Sequence, residues 1–412
     1  MNPVIRNIFW LLAEHGSRII LSTLSVSLMA RALGVEQYGL LQYTLGLVAA
    51  FSSISCICGA EVLVPPLVTA TPAERKRLLG NAFVLRQAAS VVAYICLLIF
   101  AWVAEDRGNF LLVAVTGISI LFSESFAVVT AWRQSQTYIK PRSILAFFAL
   151  LCKIALVVVL YKSNTKSVIL FALAYLTDAI IIAIGLLVIY HKENGGLFFF
   201  YEKTTALNLL KKGYPFFAGL IIMFFYQRLD IIMLKRFSNL YNTGIYAAAM
   251  QLMFPISAIA SMLSMSLAPH YIYRQHDEKT ALKNIGLITI AMFAIGLILA
   301  ACARLTGGFI LHSFFGKKFN DAIPIFNLLI WSTVLIFTDS ALNLLLIKKQ
   351  KAKHIAIKWI FALATSGVVH LTLIPEYHAK GAIAGYIIGY IATCSAGLFF
   401  YATEKTNISL QA

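Results

Sequence analysis

Ten ionisable side chains lie inside stretches that are otherwise apolar. Glu14, His15 and Arg18 interrupt the first stretch, Arg86, Glu124, Lys153 and Asp178 fall in those that follow, and Arg228, Asp230 and Asp339 in the second half. If these stretches cross a bilayer, each charge costs about 2.5–3.5 kcal/mol at mid-helix, so it must face a partner or a water-filled path. Glu14 and Arg18 stand four apart with the acid first, which suits either a self-neutralised pair or a substrate contact. Arg228 and Asp230 are two apart, on opposite sides of a helix, so at least one must find a partner elsewhere. Arg86 is close enough to a span end to snorkel, whereas Lys153 and Asp178 are deep and could pair with each other. Glu124 and Asp339 have no sequence-local partner and suit protonatable coupling sites. Glu61 and His370, near span ends, read as interfacial. Four interior cations against five acids predict separate cationic and acidic zones.

Other chemistries have no residues to carry them. There is no Walker loop, no HExxH and no His/Cys cluster with metal-ligand spacing, so neither cofactor nor metal is expected. The six cysteines, Cys56, Cys58, Cys96, Cys152, Cys302 and Cys394, all lie within apolar runs and read as small hydrophobes.

The elements that must position the charges follow from composition. Of 412 residues, 60% are hydrophobic and 12% charged, about half the charge of a soluble domain. The apolar residues fall in blocks long enough to cross a bilayer. They predict spans at 8–31, 39–61, 81–103, 109–131, 143–161, 167–190, 213–234, 243–269, 284–303, 322–347, 354–374 and 380–401. The amino-terminal stretch has no convincing cleavage site and is expected to remain as the first span. The net charge of +17 comes mostly from short loops, which argues against nucleic acid as the partner. Lysine and arginine in alternate loops divide 20 against 10, with 348–358 the richest cluster. The positive-inside rule then places both termini in the cytoplasm. The longest outward loop, about 304–321, is too small for a catalytic domain.

The expected architecture is an all-α integral membrane protein of about 12 transmembrane helices. A six-helix lobe, 1–190, is followed by a cytoplasmic linker, 191–212, containing Gly195-Gly196, and a second six-helix lobe, 213–412. Six is even, so any repeat is parallel, with a pseudo-twofold along the membrane normal and a central cavity. Gly39-Leu40-Leu41 and Gly244-Ile245-Tyr246 occupy matching places in the two halves. Pro255 should kink the eighth span. The serines and glycines of the second span (Gly46, Ser52, Ser53, Ser55, Gly59) should permit close helix approach.

Leu209-Leu210-Lys211-Lys212-Gly213-Tyr214-Pro215, Arg228-Leu229-Asp230 and Gly244-Ile245-Tyr246-Ala247-Ala248-Ala249 resemble the start of the second half of Wzx-type polysaccharide repeat-unit flippases. These form the polysaccharide transporter branch of the multidrug/oligosaccharidyl-lipid/polysaccharide exporter superfamily. Leu33-Gly34-Val35-Glu36-Gln37-Tyr38-Gly39, Phe315-Gly316 with Asp321-Ala322, and Ile374-Pro375-Glu376-Tyr377 with Lys380-Gly381-Ala382 extend the likeness over nearly the whole chain. His378-Ala379 departs from it, standing where the family more often has a glycine-containing turn. The resemblance implies flipping of an undecaprenyl-pyrophosphate-linked oligosaccharide (an O-antigen repeat unit) across a bacterial inner membrane, driven by H+ or Na+. It implies no enzymatic step. Its partners would be membrane lipids and the polymerase and chain-length proteins of the pathway. Under it, Arg18, Arg86, Lys153 and Arg228 would hold the pyrophosphate, and Glu124, Asp178, Asp230 and Asp339 would couple ions, with Glu14 structural or coupling. A drug exporter of the same superfamily and a repeat-unit polymerase or ligase stand as rival readings.

Overall fold

The computed structural model describes residues 3–411 apart from 137, 139, 195, 197, 198, 274, 276 and 350. Its helices are α1 (Pro3–Leu33), α2 (Val35–Ser52), α3 (Ala60–Thr69), α4 (Pro72–Ala104), α5 (Arg107–Gly117), α6 (Ile120–Ser123), α7 (Val128–Ser135) and α8 (Lys140–Lys162). They continue as α9 (Val168–Asn194), α10 (Lys203–Phe237), α11 (Leu240–Ala268), α12 (Glu278–Phe315), α13 (Ala322–Leu329), α14 (Ser332–Lys348), α15 (Ala352–Tyr377) and α16 (Ala379–Gln411). No strand occurs among the described residues. Among the described residues, ten helical segments are long and apolar enough to cross a membrane, or eleven when α2 and α3, bent by 45° at their junction, count as one span. Val103, Leu305 and Phe309 are more than three-quarters exposed, as side chains facing lipid must be.

Three features differ from the expected spans. The second breaks at 53–59, where Ser52 and Ser53 hydroxyls donate back to the Ala49 and Ala50 carbonyls and Cys58 takes a left-handed φ of 55°. Its serines lie where the helix ends, the hydroxyls competing with the next turn's amides, and Ser53 and Ser55 are buried where the segment packs closely on α4. The fourth is interrupted around Ile118-Ser119 and again at 124–127, with Ser119 and Ser123 donating to the Thr116 and Ile120 carbonyls. Finally, α12 runs for 38 residues, about 57 Å at 1.5 Å per residue, so most of the expected outward loop 304–321 is helix. The apolar sequence continues through Phe314-Phe315, and Gly316, at φ 82°, ends it. Pro255 lies within a continuous α11. His378 adopts φ 50°, a conformation that glycine takes more readily than histidine.

Packing divides the chain into two compact units, residues 43–228 and residues 1–42 with 229–412. In the first, Trp132 stacks edge-on to Tyr190 at 5.1 Å within a core of Leu63, Leu67, Leu79 and Val128. In the second, α1 is fastened to the end of α12: Ser27 and Arg31 donate to the Phe314 carbonyl, and Arg31 also to that of Ser313. A cation at a helix carboxyl terminus satisfies free carbonyls and complements the dipole. Beside it, Tyr38 meets Phe319 edge-on at 5.6 Å.

The two glycines singled out in the sequence meet within this second unit. A Cβ on Gly39 would run into the Leu240 carbonyl oxygen and the Gly244 amide, and one on Gly244 into the Val35 carbonyl. The contact is reciprocal: 35 stands to 244 as 240 stands to 39, each pair of equivalents being 205 residues apart. Backbone carbonyls cannot move aside as a side-chain tip can. Gly39→Ala or Gly244→Ala is therefore expected to cost about 1–3 kcal/mol or more, read as a lowered thermal midpoint of the purified protein. Gly16→Ala, with nothing within 4 Å of the new methyl, should leave the midpoint unchanged.

Candidate functional site

Within residues 43–228, α4 runs uninterrupted past the two broken spans. Broken helices leave carbonyls without amide partners, and lipid offers none. Arg86 on α4 supplies donors to two such carbonyls and a second donor to that of Glu124, which also accepts from the Ala127 amide at 3.2 Å. Its Nε reaches the Ile57 carbonyl at 2.9 Å, Nη2 that of Cys58 at 3.0 Å and Nη1 that of Glu124 at 2.8 Å. One planar guanidinium thus ties both breaks to an intact helix. Its charge is met by the Glu124 carboxylate at 3.8 Å; the arginine side chain is 5% exposed and the carboxylate 34%. One turn further along, the Ser90 and Ser125 hydroxyls are 3.2 Å apart. Glu61, expected near a span end, instead opens α3 just beyond the first break, and its carboxylate and that of Glu124 both act electrostatically on the Cys56 thiol.

The same unit holds Lys153 on α8, half-buried, with its ammonium 3.4 Å from the ring centroid of Tyr175 on α9. Asp178, one turn along α9, is within electrostatic reach of it. Arg133, expected in a loop, is buried: it pairs with Glu193 and lies 4.5 Å over the Trp132 ring. Arg228 is half-buried on α10.

Among residues 1–42 and 229–412, Lys358, Asp339 and Asn343 form a hydrogen-bonded triangle. Lys358 on α15 is 1% exposed and donates to Asp339 Oδ1 at 2.7 Å and Asn343 Oδ1 at 2.6 Å. Asn343 Nδ2 returns a bond to Asp339 Oδ2 at 3.0 Å. The Trp359 ring lies 5.3 Å from the ammonium, and Trp359 in turn meets Tyr390 edge-on. Asp230, also buried, accepts from the Tyr246 hydroxyl and the Ile231 amide. His370, expected at an interface, is buried, with Nε2 donating to the Ala382 carbonyl at 3.1 Å.

The structure therefore joins Arg86 to Glu124 and brings Lys153 near Asp178, while Arg18 is half-buried on α1. The side chains of Glu14, His15 and Pro215, and the whole of Arg274, lie outside the described residues. Sequence reasoning missed Lys358, which it counted with the loop cations of 348–358, and the Tyr246 and Asn343 partners. The one available signal was that Lys358 falls inside the span 354–374.

A family profile described as polysaccharide biosynthesis protein matches residues 4–272. No curated protein sequence compared with the chain matches it significantly. Among solved structures, the inward closed conformation of the lipid II flippase MurJ is similar with a TM-score of 0.75 at 11% identity, covering 94% of this chain and 86% of that one. An inward-facing multidrug resistance MATE family transporter of the MOP superfamily gives 0.69 at 12% identity, covering 96% of each chain. The Vibrio cholerae MATE transporter VcmN gives 0.67 at 11% identity, covering 98% of this chain and 97% of that one. At such identities these similarities speak for the fold.

Proposed function

The chain belongs to the polysaccharide biosynthesis protein family, and from that premise we propose that it flips an undecaprenyl-pyrophosphate-linked oligosaccharide from the cytoplasmic to the periplasmic leaflet of a bacterial inner membrane. The mode is alternating access coupled to H+ or Na+. The observation that carries this reading is Lys153, a half-buried ammonium in the middle of a 23-residue span, held against the face of Tyr175. An aromatic face stabilises a cation less than a carboxylate does in a dry site, so a phosphate oxygen can displace it. A fold shared with a lipid II flippase supports a lipid-linked cargo.

Arg228, in the same unit as Lys153, and, separately, Arg18 on α1 are the other cations proposed to meet the anionic cargo. Arg86, whose donors are on carbonyls, acts by shaping the break beside Glu124. Glu124 and Asp178 are the coupling acids of the first half; Asp230 and Asp339, held by Tyr246 and Lys358, are their counterparts in the second. Counting α1 and the bent α2–α3 pair gives twelve spans, arranged as lobes 1–190 and 213–412 joined by 191–212, with both termini cytoplasmic. The reciprocal contact of 35 and 39 with 244 and 240 supports a twofold relation between them.

The test is complementation of a bacterium lacking the gene, following the leaflet of the lipid-linked repeat unit with an outside probe. Lys153→Met is expected to trap the unit on the cytoplasmic face and abolish surface glycan, while Lys153→Arg retains export. Full export by Lys153→Met would overturn the assignment. Surface glycan that survives deletion would favour a drug exporter, and single unpolymerised units at the surface would favour a polymerase.

A further inference from the structure

The connection from α9 into α10 carries two acids and four lysines between residues 192 and 212. Both acids are engaged from outside the segment. Glu193 pairs with Arg133, and Glu202 accepts from Arg77 Nε at 3.0 Å and from the Thr205 hydroxyl at 2.7 Å. The Arg77 guanidinium, helped by Thr205, holds the Glu202 carboxyl down at about 2, so this pair stays ionised at any physiological pH. The backbone is pinned as well, with the Glu202 amide donating to Asn81 Oδ1 at 2.8 Å.

What remains is a surface of one sign. Lys192, Lys203, Lys211 and Lys212 are all exposed, and none has an ion-pair partner among the described residues. Between and beside them Phe199, Phe200, Tyr201 and Tyr214 are 51%, 40%, 58% and 71% exposed. The first turns of α10 sort these groups by face. Ala206, Leu209 and Gly213 are buried, while Lys203, Leu207, Lys211 and Tyr214 form an exposed stripe at spacings of four, four and three. Aromatic rings with lysines at the end of a membrane-crossing helix match the headgroup layer, where rings sit among acyl ends and ammonium groups reach phosphates.

We infer that the exposed lysines and aromatic side chains of residues 192–214 form a docking surface for anionic phospholipid headgroups, anchoring the connection between the two halves of the chain to the leaflet it borders. Each lysine contributes by attraction to the negative surface, which salt screens. The Arg77 and Arg133 pairs serve this by removing the only two negative charges of the segment.

The full-length protein, purified in detergent, would be incubated with mixed micelles of phosphatidylglycerol and phosphatidylcholine and its retained lipid counted by native mass spectrometry. Wild type is expected to hold phosphatidylglycerol in several-fold excess, the excess collapsing in about 1 M salt. K192Q/K203Q/K211Q/K212Q should lower it toward parity, and K211Q/K212Q should lose about half. K162Q/K166Q/K317Q/K318Q, with the same loss of charge at other exposed lysines, should retain it. An undiminished excess in both linker variants, or an equal loss in the K162Q/K166Q/K317Q/K318Q protein, would overturn the inference. Displacement of the lipid by equimolar inorganic phosphate would assign the lysines to a free anion instead.

Discussion

Lys358→Met should sharply lower both the amount and the thermal midpoint of the folded protein. The substitution removes the only cation that the described residues place against Asp339, whose side chain is 5% exposed. A carboxylate left there has lost its charge partner and one of its hydrogen bonds, and breaking a buried pair from one side costs about 3–5 kcal/mol. Removing both charges is different. In Asp339→Asn with Lys358→Met, the amide can still bond Asn343 and nothing charged remains to desolvate, so stability should return to within about 1 kcal/mol of wild type. Thermal unfolding of the two single variants and the double variant yields the coupling directly. A Lys358→Met protein as stable as wild type would show that the pair does not form. Export separates two roles: a double variant that is stable and active leaves the pair purely structural, and one that is stable but inactive requires the charges in the transport cycle.

Arg86→Met should loosen both broken spans together. The Ile57 and Cys58 carbonyls lose their donors at once, while that of Glu124 keeps the Ala127 amide at 3.2 Å. Each of the two orphaned carbonyls costs about 1–3 kcal/mol when left unsatisfied, and the Glu124 carboxylate loses its counter-charge. The local readout is amide hydrogen exchange, which should rise at 53–59 and 118–127 and stay unchanged at 332–348. Arg86→Lys keeps the charge but replaces a planar fork with a single ammonium that cannot span three carbonyls on two segments. It should therefore fall between wild type and Arg86→Met. Unaltered exchange at both breaks in Arg86→Met would mean that the guanidinium does not hold them.

These predictions fall on residues that the sequence marks unequally. Arg86 stands out as a charge in an apolar run, yet snorkelling to headgroups was an equally good local account of it. Its three acceptors are the carbonyls of residues 57, 58 and 124, and no pattern of side chains announces which carbonyls a broken helix leaves free. Lys358 was hidden for the opposite reason. It stands close behind four other lysines and shared their reading as a loop cation, although hydropathy had placed it within a span.

Where the chain is helical and apolar is legible residue by residue, because crossing lipid requires about 20 apolar residues and full internal satisfaction of the backbone, and both are local demands. The sequence also points to Gly39 and Gly244, since a small residue at matching places suggests a backbone approach. Contacts in space settle the rest: that those two glycines meet, that the chain breaks at 53–59 and 118–119 within spans which hydropathy reads as continuous, and which partner each interior charge has. An averaged hydropathy cannot see a two-residue break, and a buried charge selects its partner by distance in space, which spacing along the chain does not encode.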